Sequence, residues 1–171
     1  RFEHGLITRR HAGRTQDGWT WRWPGLESTA FGFPEIVVVG WKPWNGGAPS
    51  DRRSPLRVAG ACALVLHYAF ETFALGRYNL AADLWLTHSG AWSKHSNPGA
   101  IAAEVVVHLD GNGGARPAGA LVDRLSVNGE RYELFHAPNV GACYRDGRGS
   151  FRRDGNSTAG KLELTPLLDH L

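Results

Sequence analysis

Apolar residues recur at every second position through much of this chain, the period of a strand with one buried face. Trp19-Thr-Trp-Arg-Trp23 puts three indoles on one side before Pro24-Gly25 ends the run. Glu35–Trp41 predicts a second strand, closed by the turn residues of Lys42–Gly47. Within Ala61–Phe73, Leu64, Leu66, Tyr68 and Phe70 alternate with Val65, His67 and Glu71. Leu121–Val127 and Arg131–His136 flank Asn128-Gly129, a dipeptide whose readiness for positive φ makes it a strong hairpin signal. Phe151 marks a further short strand. Residues 1–18 show no clear period and are expected to form a poorly defined lead-in. At the far end, Thr165 is expected as an N-cap and Pro166 as the first residue of a short helix. Nothing repeats at a fixed interval. The pattern predicts a single antiparallel all-β sandwich over residues 1–171 with one short helix.

Two runs break the alternation in an informative way. Tyr78–Thr87 and Ile101–Leu109 each carry one carboxylate inside an otherwise apolar strand. By strand parity Asn79, Asp83 and Trp85 share a face, and so do Ala102, Glu104, Val106 and His108. The opposite faces, Tyr78/Leu80/Ala82/Leu84/Leu86 and Ala103/Val105/Val107/Leu109, are apolar and are expected to face the core. A core face backing acid, indole and imidazole groups is how a sheet would line a binding cleft.

Composition changes this picture only in places. A chain of 171 residues can bury a substantial core, and its 22 glycines agree with short strands joined by tight turns. Seven tryptophans are more than packing requires, and flat indoles also stack on sugar rings. The net charge of +3 comes from scattered arginine pairs rather than a basic and aromatic stripe, so no nucleic-acid groove is expected. No apolar run is long enough to span a membrane, and no membrane partner is expected. Cys62 and Cys143 lack metal-type spacing; one disulfide and two buried thiols are both compatible with them. Asn156-Ser157-Thr158 is a glycosylation sequon where the host glycosylates.

In their order along the chain, these segments resemble glycoside hydrolase family 12, the small endo-β-1,4-glucanases and xyloglucan hydrolases. The resemblance rests on Trp19–Trp23, Phe33-Pro-Glu with Lys42-Pro43, Tyr78–Trp85 and Ala103-Glu-Val-Val-Val-His-Leu109. It continues through Pro117-Ala-Gly119, Val127-Asn-Gly with Tyr132-Glu-Leu-Phe135, and Leu167–Leu171, covering about residues 19–171. It implies a double-sheet jelly roll with a concave cleft, acting by a retaining mechanism on a polysaccharide or oligosaccharide, without metal or organic cofactor. Glu104 occupies the nucleophile position and Asp83 that of the aspartate that hydrogen-bonds and polarises it. Trp85, His108, Trp21 and Trp23 are candidates for substrate contacts. A secreted, extracellular protein is implied, monomeric unless a partner chain supplies strands.

The chemistry asks for such residues. A retaining glycosidase needs a carboxylate nucleophile and a protonated carboxyl about 5–5.5 Å apart, kept in opposite ionisation states by their environments. The chain departs from the family pattern at the second of these. The family's acid/base glutamate follows the helix in which these residues end, so an incomplete chain or strands from a partner are expected. Glu130, Glu133 and Glu163 do not match it. His108 stands where the family usually has Trp. A non-catalytic carbohydrate-binding jelly roll is the alternative, and a purely structural domain a third. The eight histidines show no metal spacing, no serine nucleophile motif occurs, and Asp110–Gly114 reads as a turn rather than a calcium loop.

Overall fold

In the computed structural model, the described residues are 3–11, 13–22, 63–74, 77–87, 101–112, 117–138 and 148–171. Trp23, the strand expected over 35–41, Cys62 and Cys143 lie outside them. The chain divides into two compact units, Arg1–Val38 and Val39–Leu171.

The first unit holds one antiparallel hairpin, β1 (Glu3–His11) and β2 (Arg14–Arg22). β2 carries the indole alternation at Trp19 and Trp21. β1 falls where the sequence shows no apolar period. Its length comes from pairing with β2 residue for residue, from Glu3 opposite Arg22 to His11 opposite Arg14.

In the second unit, β3 (Val65–Ala69) pairs with β9 (Ala159–Glu163) in a two-stranded antiparallel ladder. A five-stranded sheet has the order β4 (Asn79–Thr87), β5 (Ile101–Gly111), β8 (Arg148–Arg153), β7 (Glu130–Ala137), β6 (Ala120–Val127). Its neighbours are antiparallel except β5 and β8, which run parallel. Parallel neighbours cannot be joined by a tight turn. The excursion through the β6–β7 hairpin provides the crossover. Asn128 and Gly129 close that hairpin at φ +52° and +85°, the left-handed pair a two-residue turn requires.

The core follows from strand parity. Val105, Val107, Leu109, Phe151, Leu134, Tyr132 and Val127 are buried on one face of the five-stranded sheet. Leu64, Leu66, Tyr68 and Phe70 of the β3 segment pack against them, with Leu162 of β9. This is the all-β layering, with one short helix, that the alternation predicts. A half-buried clamp joins the layers: Arg153 of β8 bonds Glu130 of β7 through two nitrogens and Tyr68 Oη of β3 at 3.2 Å.

The helix α1 spans Leu164–Leu168, earlier than Thr165 and Pro166 imply. Glu163 is its N-cap and gives no side-chain cap. Thr165 does not cap either; its Oγ1 accepts the Leu64 backbone N–H at 2.8 Å. With Leu164 N–H donating to Leu64 O at 2.9 Å, the β3–β9 ladder is completed by the first turn of the helix. Tertiary pairing has taken the hydroxyl that local rules assign to the cap. Leu164 and Leu167 seat the helix in the core.

Candidate functional site

The face of the five-stranded sheet turned away from the core can be written as three rows, because residues opposite one another on paired strands share a face. Trp85, Glu104, Arg148 and Ala137 form one row across β4, β5, β8 and β7. Asp83, Val106, Ser150, Phe135 and Leu121 form the next, reaching β6. Ala81, His108, Arg152, Glu133 and Arg124 form the third.

Glu104 is a carboxylate only 4 % exposed, on a strand with neighbours on both sides. Burial of a charged group is costly unless it is partnered, so a chain retains one for structure or for chemistry. Trp85 stands directly opposite it on β4, and Asp83 is its diagonal neighbour, at the roughly 7–8 Å spacing of such positions. The Trp85 indole N–H donates to Asp83 Oδ2 at 3.3 Å, which orients both groups beside Glu104. Farther along, His108 Nδ1 hydrogen-bonds Asn79 Oδ1 at 2.9 Å.

A bulge separates this face from its neighbour. The register shifts between Leu80 and Ala81, so Leu80 faces Asp110 whereas Ala81 faces His108. One extra residue on β5 reverses the parity beyond it. Asp110 therefore shares a face with Tyr78 and Leu80. There it is buried and accepts the Tyr78 hydroxyl at 2.7 Å. The sequence reading placed Asp110 at the start of a turn; in the structure it belongs to β5.

Structure thus brings together four of the six residues singled out from sequence: Asp83, Trp85, Glu104 and His108. Trp21 stands on β2 opposite His4, in the other unit, and Trp23 is outside the described residues.

Sequence reasoning missed the far half of the same face. Glu133 receives Arg124 Nε at 3.2 Å and an N–H from Arg152, whose guanidinium also lies over the Phe135 ring at 5.3 Å from its centroid. The Arg152 hydrogen bond holds the Glu133 carboxyl below the ordinary carboxylate range, with the charges of both arginines adding to it. These side chains border a shallow depression of about 390 Å³, which Pro117, Gly119 and Leu121 also line. Gly119 has φ +90°, and a Cβ there would stand 2.1 Å from His136 O, so only glycine fits. The alternation Arg148/Ser150/Arg152 was the available signal. It acquires meaning only once β8 lies between β5 and β7.

Compared by sequence alone, the chain matches no family model and no curated protein. Compared by structure, it is similar to a family 12 xyloglucanase from Bacillus licheniformis in complex with ligand. That similarity has a TM-score of 0.78 at 25% identity and covers 99% of this chain and 70% of the xyloglucanase. The fold is that of glycoside hydrolase family 12. The endoglucanase Cel12A from Rhodothermus marinus has the same family-12 fold, with a TM-score of 0.60 at 25% identity over 73% of this chain and 52% of its own. The catalytic domain of Humicola grisea Cel12A, in complex with a thio cellotetraose, aligns over 100% of this chain and 69% of its own, with a TM-score of 0.58 at 12% identity.

Proposed function

We propose that this protein is a secreted, retaining, endo-acting glycoside hydrolase of β-1,4-glucan-type polysaccharides. The observation that carries the reading is a nearly buried carboxylate, Glu104, flanked by Trp85 and Asp83 on the sheet face turned away from the core of a family-12 fold. Similarity to xyloglucanases and endoglucanases supports the substrate class. Among the described residues no helix is long and apolar enough to cross a membrane.

In the first step a Glu104 carboxylate oxygen attacks the anomeric carbon. The bond to the leaving oxygen breaks as that oxygen takes a proton from a carboxylic acid, and a glycosyl ester forms on Glu104. In the second step the conjugate base removes a proton from water. That water displaces Glu104, and the acid is regenerated. Asp83 acts as a positioning residue: with the Trp85 N–H on one of its oxygens, it fixes the groups around the nucleophile. No proton donor is assigned among the described residues of this face. Glu133 shares the face but is two strands from Glu104 and engaged with both arginines.

A second reading is a carbohydrate-binding module that keeps the face without turnover. One experiment separates the two. An oligosaccharyl 2-deoxy-2-fluoro-β-glycoside with a dinitrophenolate leaving group needs no protonation to depart, so it reports the nucleophile alone. A stable adduct on the peptide containing Glu104, absent in Glu104→Gln, is the expected result. Unlabelled protein that still binds β-glucan in affinity electrophoresis would leave the binding module standing.

A further inference from the structure

The second half of the open face carries charge that a neutral glucan does not call for. Arg124, Glu133 and Arg152 form one row across β6, β7 and β8, two guanidiniums around one carboxylate. Each gives Glu133 a single N–H, out of five that a guanidinium carries. The row holds one positive charge in excess, and it borders a depression rather than a flat surface. Arg124 and Arg152 side chains are 71% and 45% exposed, so their other N–H groups are accessible. Phe135 adds an apolar floor beneath the Arg152 guanidinium. Pro117 and Gly119 also line it.

If the row served only to tie strands, its worth would be small, since exposed ion pairs contribute little. Its placement is more telling. The depression opens on the same face as Glu104, about two strands away, where a polymer lying across the sheet would put a neighbouring sugar or its branch. A planar guanidinium fork matches a carboxylate through two parallel hydrogen bonds, and an aromatic ring matches the apolar face of a sugar.

From this we infer that the Arg124–Arg152–Phe135 depression is a subsite for a carboxylate-bearing sugar, making the preferred substrate a β-1,4-glucan that carries uronic-acid residues. The inference rests on the hydrolase reading and narrows its substrate class. The Arg152 hydrogen bond favours the ionised form of Glu133, and with that carboxyl ionised the row carries one net positive charge.

The test is isothermal titration calorimetry of the 171-residue chain with two oligosaccharides of the same β-1,4-glucan main chain, one neutral and one bearing a single glucuronic-acid branch. At low ionic strength the uronate form should bind roughly tenfold tighter or better, the scale of a charge-assisted pair. Added salt should shrink that advantage. Arg152→Gln and Arg124→Gln should each move the ratio of affinities toward one, with the neutral oligosaccharide within about twofold of wild type. Arg152→Lys, which keeps charge but not the fork, should fall between, and circular dichroism checks that each variant is folded. Equal affinity for both oligosaccharides in the wild type overturns the inference and leaves the hydrolase reading intact. So does a uronate preference that survives both Arg→Gln changes. Binding of neither oligosaccharide removes the subsite and the carbohydrate reading together.

Discussion

Glu104 and Glu133 sit on one face of one sheet, two strands apart, and the surroundings make them opposite kinds of group. Glu104 is 4 % exposed, with Trp85 opposite and Asp83 on the diagonal. Glu133 lies on β7, held between Arg124 of β6 and Arg152 of β8. Hydrogen bonds from two guanidiniums favour the ionised form of Glu133 and engage both of its oxygens. Glu104 instead stands among an indole and another acid. The strands supply both positions equally; their cross-strand neighbours assign the roles.

The sharpest way to test that contrast is to remove each carboxylate. Glu104→Gln should lower reducing-end release from xyloglucan or β-glucan by a factor on the order of 10⁴ or more, as expected for a nucleophile. Glu133→Gln should leave the same rate within a few-fold; a comparable loss at both would erase the distinction.

Phe151→Ala attacks the platform the two regions share. Phe151 is fully buried beneath both, so a cost of about 3–5 kcal/mol in urea unfolding is expected. A cost below about 1 kcal/mol would mean that the sheet does not depend on this core. Asp83→Asn should reduce turnover roughly 10- to 100-fold, with the melting temperature unchanged. Turnover within about twofold of wild type would remove Asp83 from the site.

The smallest effect concerns pH. The Arg152 hydrogen bond lowers the folded-state pKa of Glu133 below its unfolded value. Its stabilisation is therefore present above the ordinary carboxylate range and disappears as pH falls through the lowered folded value. The melting temperatures of wild type and Glu133→Gln should differ slightly at neutral pH and converge in strong acid. Being exposed, the group should shift them only modestly. Divergence on acidification would contradict the assigned sign.

What was legible from sequence depended on how local the signal was. Val105, Val107 and Leu109 announce a buried face by parity alone, and Asn128-Gly129 announces its hairpin because few other pairs accept positive φ twice. That Asp83 and Glu104 each sit opposite an apolar strand face was visible for the same reason, whereas their association came only from the family resemblance. Thr165 shows the limit. Local propensity makes it a helix cap, but a backbone N–H from residue 64 claims its hydroxyl. β1 and β9 escaped because their partners, rather than their own periods, make them strands.

By itself, then, the sequence determined the all-β class, the buried faces, the hairpin turn and the two carboxylates set opposite apolar strand faces. These follow from side-chain alternation and turn chemistry, which act within a few residues. Only the tertiary structure decided that β8 lies parallel to β5, that a bulge turns Asp110 to the Tyr78 side, and that Arg124, Glu133, Phe135 and Arg152 meet around one depression. Strand order and register are properties of the closed sheet. They arise when the whole apolar face is buried at once, and no segment read alone contains them.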